Sequence, residues 1–366
     1  MTTSVDLATV ETPVGLVDLS RVRANAKRVA DYAAGHGLGW RPHIKTHKST
    51  AVARIQLDAG ARGLTVATLR EAEVMSTLTG DVLLAYPPVG AAKLSRLARL
   101  PPHVDLKVAL DAHEVLAPLA AAARGAERTV GVLVEVDLGM GRVGLQTPED
   151  VVTLAHQASE TDGVTFRGLL FYPGHIRMAE VDQTSHLREV GERLSRTLDS
   201  LHDAGLSPEI VSGGSTPTLW RSHEVPGMTE IRSGSCIFFD REARDVGVAR
   251  PEDLAYTVLA TVVSTAVPGR AVVDAGSKAL AKEGRGGDGF GFLLDHPEVP
   301  VASLSEEHGV LDISSTTWVP TIGTRVRIVP NHVCVSVNLQ DALLAEEDGR
   351  HAYLPLEGRG RAPWTG

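Results

Sequence analysis

Between residues 38 and 235, short runs of aliphatic and β-branched residues alternate eight times with stretches of helical character. The runs are "LGWRPHIK" (38–45), "RGLTVAT" (62–68), "DVLLAYP" (81–87), "VDLKVALD" (104–111), "TVGVLVEVD" (129–137), "VTFRGLLFYP" (164–173), "SPEIVSGG" (207–214) and "GMTEIRSGS" (227–235). Eight strands with helices between them predict an α/β fold, a (β/α)8 TIM-type barrel whose parallel strands are buried on both faces. After about residue 245 the rhythm changes. "AYTVLATVVSTAV" (255–267), "GRAVVDAG" (269–276), "TRVRIVP" (324–330) and "VCVSVNL" (333–339) read as strands without long helices between them, a C-terminal mainly-β domain. The opening "ETPVGLVDLSRV" reads as a strand entering a helix, able to pair with that domain. The expected division is 20–245 for the barrel, and 1–19 with 246–366 for the β domain. The tail "EGRGRAPWTG" reads as loosely held.

Hydrophobic residues at 43% and charged residues at 22% give a soluble chain of 366 residues with ample material for a core. A net charge of −9 argues against nucleic acid as a partner. No run of about 18 apolar residues suggests a membrane span, and "MTTSVDLATVETP" lacks a signal-peptide pattern. Two cysteines, Cys236 and Cys334, leave no disulfide framework, so a reducing cytoplasm is expected.

Functional residues of a barrel gather at the C-terminal ends of its strands. "RPHIKTHK" places Lys45 at such an end, with His43 and His47 two residues to either side and on one face of an extended strand. A lysine desolvated among cations has its pKa drawn down from about 10.4 toward the nucleophilic range, as Schiff-base formation with pyridoxal phosphate requires. Lys48 is its rival. A phosphate calls for glycine turns with free backbone N–H groups. "SGGSTPT" supplies Gly214, Ser215 and Thr216 after the seventh run, and "SGS" supplies Ser233, Gly234 and Ser235 after the eighth. "VDLGMGRVGL" has the G-x-G-x-x-G form without a matching ribose acid, so its turn is read as delivering Arg142 to the barrel mouth, to hold the cofactor's phenolic oxygen as an anion. His332 and Cys334 in "PNHVC" are two apart on an apparent strand and share a face. Imidazole with thiolate suits Zn²⁺, with Mn²⁺ the alternative, and two ligands leave positions for water and substrate. Glu71 and Glu73 read as helix-surface charges, and Cys236 as a buried small side chain.

These segments together resemble the pyridoxal-phosphate enzymes typified by D-threonine aldolase and eukaryotic-type D-serine dehydratase, which share the alanine-racemase-like barrel and β domain. The resemblance spans nearly the whole chain, through "RPHIKTHK", "LVEVDLGMGRVGL", "SGGSTPT" with "SGS", "DAGSKALAKE", "EEHG" and "PNHVCVSVNLQD". It implies Lys45 in the Schiff-base position, Arg142 on the arginine loop, and His332 and Cys334 as metal ligands. Two departures stand out. Cys334 occupies a place where aldolases often carry aspartate, as dehydratases do, whereas "VNLQD" is more aldolase-like. Tyr172 of the sixth strand is retained in "FYPGHIRM", but Met178 stands where the aldolases place a histidine, and His175 is the nearby substitute as general base. The family forms homodimers in which the β domain of one subunit covers the other's site.

The resemblance implies a metal-assisted lyase acting on small 3-hydroxy-D-amino acids. Retro-aldol cleavage to glycine and an aldehyde is the leading expectation, with dehydration to a 2-oxo acid and ammonia as the alternative. An amino-acid racemase and a non-catalytic pyridoxal-phosphate-binding protein are further readings. A racemase has no use for the ion, and the binding proteins lack the β domain.

Overall fold

All eight expected barrel strands form in the computed structural model, which describes residues 5–284 and 289–361. They are Gly39–Trp40, Leu64–Val66, Asp81–Leu84, Asp105–Leu110, Val130–Glu135, Val164–Leu170, Ile210–Gly213 and Glu230–Ile231. Each is parallel to its neighbour, and the first pairs with the eighth. The ring closes through the stretch after Trp40: His43 bridges Thr65, Arg62 N–H donates to the Trp40 carbonyl at 2.8 Å, and Thr65 N–H donates to that of Pro42 at 2.9 Å. The strands are short because the segments after them turn at once into loops that reach the mouth. Helices return the chain to each next strand, and local chemistry sets their starts. Thr147, for instance, accepts from Asp150 N–H, Pro148 follows, and Glu149 and Asp150 favour the positive end of the helix Pro148–Glu160.

Leu83, Ala109, Leu133, Leu170 and Ile210, one from each of five strands, make a buried apolar cluster. Alongside it lies a buried ionic network. Arg41 donates to Glu230 at 2.9 Å and also bonds Asp81, and Lys107 reaches Asp81 at 2.6 Å. Burial pushes the Asp81 carboxyl up, but Arg41 and Lys107 outweigh it and hold it below its ordinary range.

The chain divides into two units: Lys27–Gly234 with Glu357–Gly366, and Met1–Ala26 with Ser235–Leu356. In the second unit the strand Val14–Asp18 lies antiparallel to Tyr256–Ser264 and parallel to Ala342–Glu347, so the opening strand does join the β domain. Arg270–Val273, Gly309–Asp312 and Val301–Leu304 extend that sheet on one side and Arg350–Pro355 on the other, while Arg325–Pro330 pairs with Tyr256–Ser264 and Gly291–Leu293.

Two expectations are corrected. Val333–Leu339 is a helix, not a strand: its buried residues Val333, Ser336 and Val337 follow a helical spacing that the alternating valines conceal. Within the tail, residues 357–361 are described, and they are held to the barrel unit rather than loose. Glu357 accepts from Thr50 N–H at 3.0 Å and from its hydroxyl at 2.6 Å, and Gly358 N–H donates to the Lys48 carbonyl at 2.8 Å. Among the described residues no helix is long and apolar enough to cross a membrane.

Candidate active site

The first barrel strand ends at Trp40, and the extended residues 41–43 lead into a tight turn, Ile44–Thr46, with Ile44 and Thr46 buried and Lys45 exposed. Lys45 was expected to be desolvated, and its exposure corrects that. The expected cationic company is present. Lys45 Nζ stands 6.0 Å from the centre of the Tyr172 ring, and the Arg142 guanidinium stands 5.1 Å from the same ring. Gly174 lets the tyrosine fold back, because a Cβ there would come within 2.1 Å of Tyr172 Cε1.

His43 and His47 do not share a face, because the turn between them breaks the strand alternation. His43 is buried, and burial together with the charges of Lys45, Arg232 and Lys48 holds its imidazole neutral, well below the ordinary pKa. Its Nδ1 has no protein partner among the described residues. His47 is instead buried in its own hydrogen bonds, accepting Ser49 N–H at 3.1 Å on Nδ1 with Gln56 Oε1 3.0 Å from Nε2. Lys48 pairs with Glu71 at 2.5 Å. Glu71 is fully buried, not a surface charge, and its other oxygen accepts Ala67 N–H.

The glycine loop after the fifth strand closes around its own acid. The Asp137 carboxylate accepts N–H bonds from Gly139, Met140 and Gly141 and a bond from the Gln146 side chain. The loop therefore has its anion already and is not a phosphate cradle, and Arg142 next in the chain is exposed. His175 packs against this loop: a Cβ on Gly139 would sit 3.1 Å from its ring. Burial, then the charge of His186, lowers its pKa, while Asp137 and Glu189 act the other way. The contacts that join Lys45, Tyr172 and Arg142 do not include it.

The turns after strands seven and eight meet. Ser233 Oγ donates to the Ser215 carbonyl at 2.8 Å, Trp40 Nε1 donates to the Ser233 carbonyl at 3.2 Å, and the Ser215 and Thr218 hydroxyls lie 3.0 Å apart. A Cβ on Gly234 would lie 2.3 Å from the His43 carbonyl oxygen, so only glycine lets this turn approach the first strand so closely. The N–H groups of Ser215, Thr216 and Gly234 donate to no protein group among the described residues. Gly214 adopts the left-handed conformation, and Ser235 opens the turn Ser235–Ile237. These donors, the glycine approach and the unpartnered His43 Nδ1 fit a phosphorylated ring cofactor.

Sequence reasoning missed Arg232. Its guanidinium is buried, donates to the Phe171 carbonyl, and leaves Nε without a protein partner among the described residues. Burial lowers its pKa, opposed by Glu135, Glu230 and Tyr172. Its signal in "EIRSGS" was an arginine at the end of a strand read as buried on both faces.

In the other unit, His332 begins the helix Val333–Leu339 as its N-cap. The Cys334 thiol lies within hydrogen-bonding reach of the His332 ring, and both Cys334 and Asp240 raise the pKa of His332 against the effect of its burial. The pair comes together by the first turn of a helix, not along a strand. Among the described residues no group of three or more His, Cys, Asp or Glu is arranged to hold a metal ion, so these are two donors able to hold an ion with open positions.

Residues 17–242 match the family model "Alanine racemase, N-terminal domain". The chain belongs to this alanine racemase family. Residues 255–345 match a second model, "Putative serine dehydratase domain". Within the family the chain is similar to D-threonine aldolase from Arthrobacter sp, at 32% identity over 94% of this chain and 91% of the relative. It is also similar to D-threo-3-hydroxyaspartate dehydratase from Delftia sp. (strain HT23), at 34% identity over 90% of this chain and 92% of the relative. The crystal structure of D-threonine aldolase from Filomicrobium marinum superposes with a TM-score of 0.91 at 30% identity, covering 98% of each chain. The resemblance carried by the lysine, arginine and serine–glycine motifs is thus borne out at the level of family and fold.

Proposed function

We propose that the chain is a lyase dependent on pyridoxal phosphate and a divalent metal, cleaving 3-hydroxy-D-amino acids to glycine and an aldehyde. The observation that carries this is the convergence of Lys45 and Arg142 on one aromatic ring, that of Tyr172, at the C-terminal ends of the barrel strands. Pyridoxal phosphate, when bound, draws electrons from the substrate's α carbon. Lys45 offers the amine that holds it. Ser215, Thr216 and Gly234 offer backbone donors for its phosphate, assisted by the hydroxyl of Ser215 and by the turn at Ser235, while the Ser233 hydroxyl ties the two turns together. Arg142 provides a fixed cation for an anionic oxygen, and buried His43 stays neutral among the charges of Lys45, Arg232 and Lys48. A divalent ion, Zn²⁺ by the softness of Cys334 or Mn²⁺, lowers the pKa of a hydroxyl it binds. His332 and Cys334 would hold that ion. His175 is the side-chain candidate for the proton on the substrate hydroxyl.

A second reading, β-elimination to a 2-oxo acid and ammonia, is favoured by Cys334 at the second ligand position and by 34% identity to a dehydratase. Product analysis separates the two. Glycine and acetaldehyde from D-threonine, lost with chelator and restored by Zn²⁺ or Mn²⁺, supports the aldolase, whereas 2-oxobutanoate and ammonia would replace it with the dehydratase.

We further propose a homodimer in which His332 and Cys334 complete the partner's site. Tyr86, Val89, Val143 and Val181, exposed apolar residues on the loops that follow barrel strands three, five and six, support a covered mouth. Two cysteines that form no disulfide suit a cytoplasmic setting.

A further inference from the structure

His332 is not only near Cys334; it is held from behind. Asp240 is buried, and its Oδ2 lies 3.0 Å from His332 Nδ1 and accepts Val333 N–H, also at 3.0 Å. Its Oδ1 accepts Ala243 N–H at 3.0 Å, capping the helix Arg241–Asp245. One carboxylate therefore starts two helices and touches the imidazole between them. The junction is further tied by Glu242 N–H donating to the Asn331 carbonyl, and by the Asn331 side chain donating to the carbonyls of Glu283 and Gly289.

An ionised carboxylate only accepts hydrogen bonds, so the proton shared with Asp240 resides on His332 Nδ1. That leaves Nε2 as the ring nitrogen able to ligate an ion once it is deprotonated. Glu242, also buried, places a second carboxylate oxygen 3.7 Å from the same Nδ1. Negative charge behind an imidazole makes the opposite nitrogen a stronger donor, and a ring clamped beforehand spends less ordering free energy on binding.

We infer that Asp240, supported by Glu242, is a positioning residue for the metal: it sets the tautomer and direction of His332 so that Nε2 ligates the ion. This rests on the reading of His332 and Cys334 as ligands. Asp240→Asn removes the charge and keeps one acceptor oxygen, which serves the cap at Ala243 N–H while an amide NH2 replaces the oxygen facing His332 and Val333. Glu242→Gln removes charge behind the ring and leaves the Asp240 caps in place.

The test is the Zn²⁺ dissociation constant of the full-length, cofactor-loaded protein without substrate, measured by competition with a chromophoric chelator, alongside thermal unfolding. The inference expects D240N to remain folded with a lowered unfolding temperature and Zn²⁺ binding weakened about 10- to 100-fold, and partial recovery of affinity in D240E, which restores the charge. Unchanged affinity in folded D240N overturns it. Should D240N fail to fold, Glu242→Gln reads the same electrostatic effect: a several-fold weakening supports the inference and unchanged affinity overturns it. If the wild-type protein itself binds no Zn²⁺, while His332→Ala and wild type behave alike, the ligand reading fails and the inference with it.

Discussion

Lys48 Nζ lies 2.5 Å from Glu71 Oε1, and Glu71 is fully buried. This pairing separates the two lysines of "KTHK". Lys48 neutralises an interior carboxylate, while Lys45 stands exposed at the barrel mouth. Replacing Lys48 by methionine leaves a buried charge uncompensated and should lower unfolding free energy by about 3 kcal/mol, while the purified protein still retains pyridoxal phosphate. Denaturant unfolding with parallel absorbance spectra checks both halves. A stable, colourless variant would transfer the cofactor role to Lys48.

Glu357 caps a helix far away in sequence. Ser49, at the start of the helix Thr50–Asp58, makes no side-chain capping bond, and Glu357 receives the Thr50 N–H instead. Glu357→Ala should cost about 1 kcal/mol of stability. Since the same tail segment bonds the carbonyl of Lys48, cofactor affinity should also weaken. Equilibrium unfolding and cofactor titration measure the two effects, and wild-type values in both would leave the tail without this role.

His47 gives a pH signature. Burial drives its pKa from 6.5 to about 3, against the smaller support of its two hydrogen bonds. Between those values the unfolded chain holds a proton that the folded chain does not, so stability declines as pH falls through the window. From about pH 7 to about pH 5, His47→Gln should lose roughly 2 kcal/mol less than wild type. Unfolding curves at the two pH values test this, and equal losses contradict it.

The barrel was legible because its strands are apolar on both faces and each ends at a turn signal, as "DVLLAYP" and "SPEIVSGG" show. The segments proposed to hold the cofactor stood out because glycines and cations sit at strand ends. What escaped depends on contacts distant in sequence. The valines of 333–339 alternate as in a strand, yet a cap at His332, fixed by Asp240 some ninety residues earlier, turns them into a helix. Glu71 has the spacing of a surface acid, and only its partners Lys48 and Ala67 explain its burial. Arg232 carries no motif of its own, and Glu357 finds Thr50 only in the folded chain.

The proposed shared-site dimer makes a prediction that a self-contained subunit does not. Lys45→Ala and His332→Ala should each be inactive alone. Unfolded and refolded together at equal amounts, they should regain about a quarter of wild-type activity, because half of the dimers are mixed and each of these has one intact site. An assay on D-threonine after mixing checks it. No recovery from a mixture shown to be dimeric would put both groups in one subunit's own site.

The central claim is tested most directly by reducing the cofactor-loaded protein with borohydride and mapping the labelled peptide by mass spectrometry. The account predicts the pyridoxyl group on Lys45 and its loss in Lys45→Ala. A label on another lysine, or none from protein supplied with pyridoxal phosphate, would contradict it.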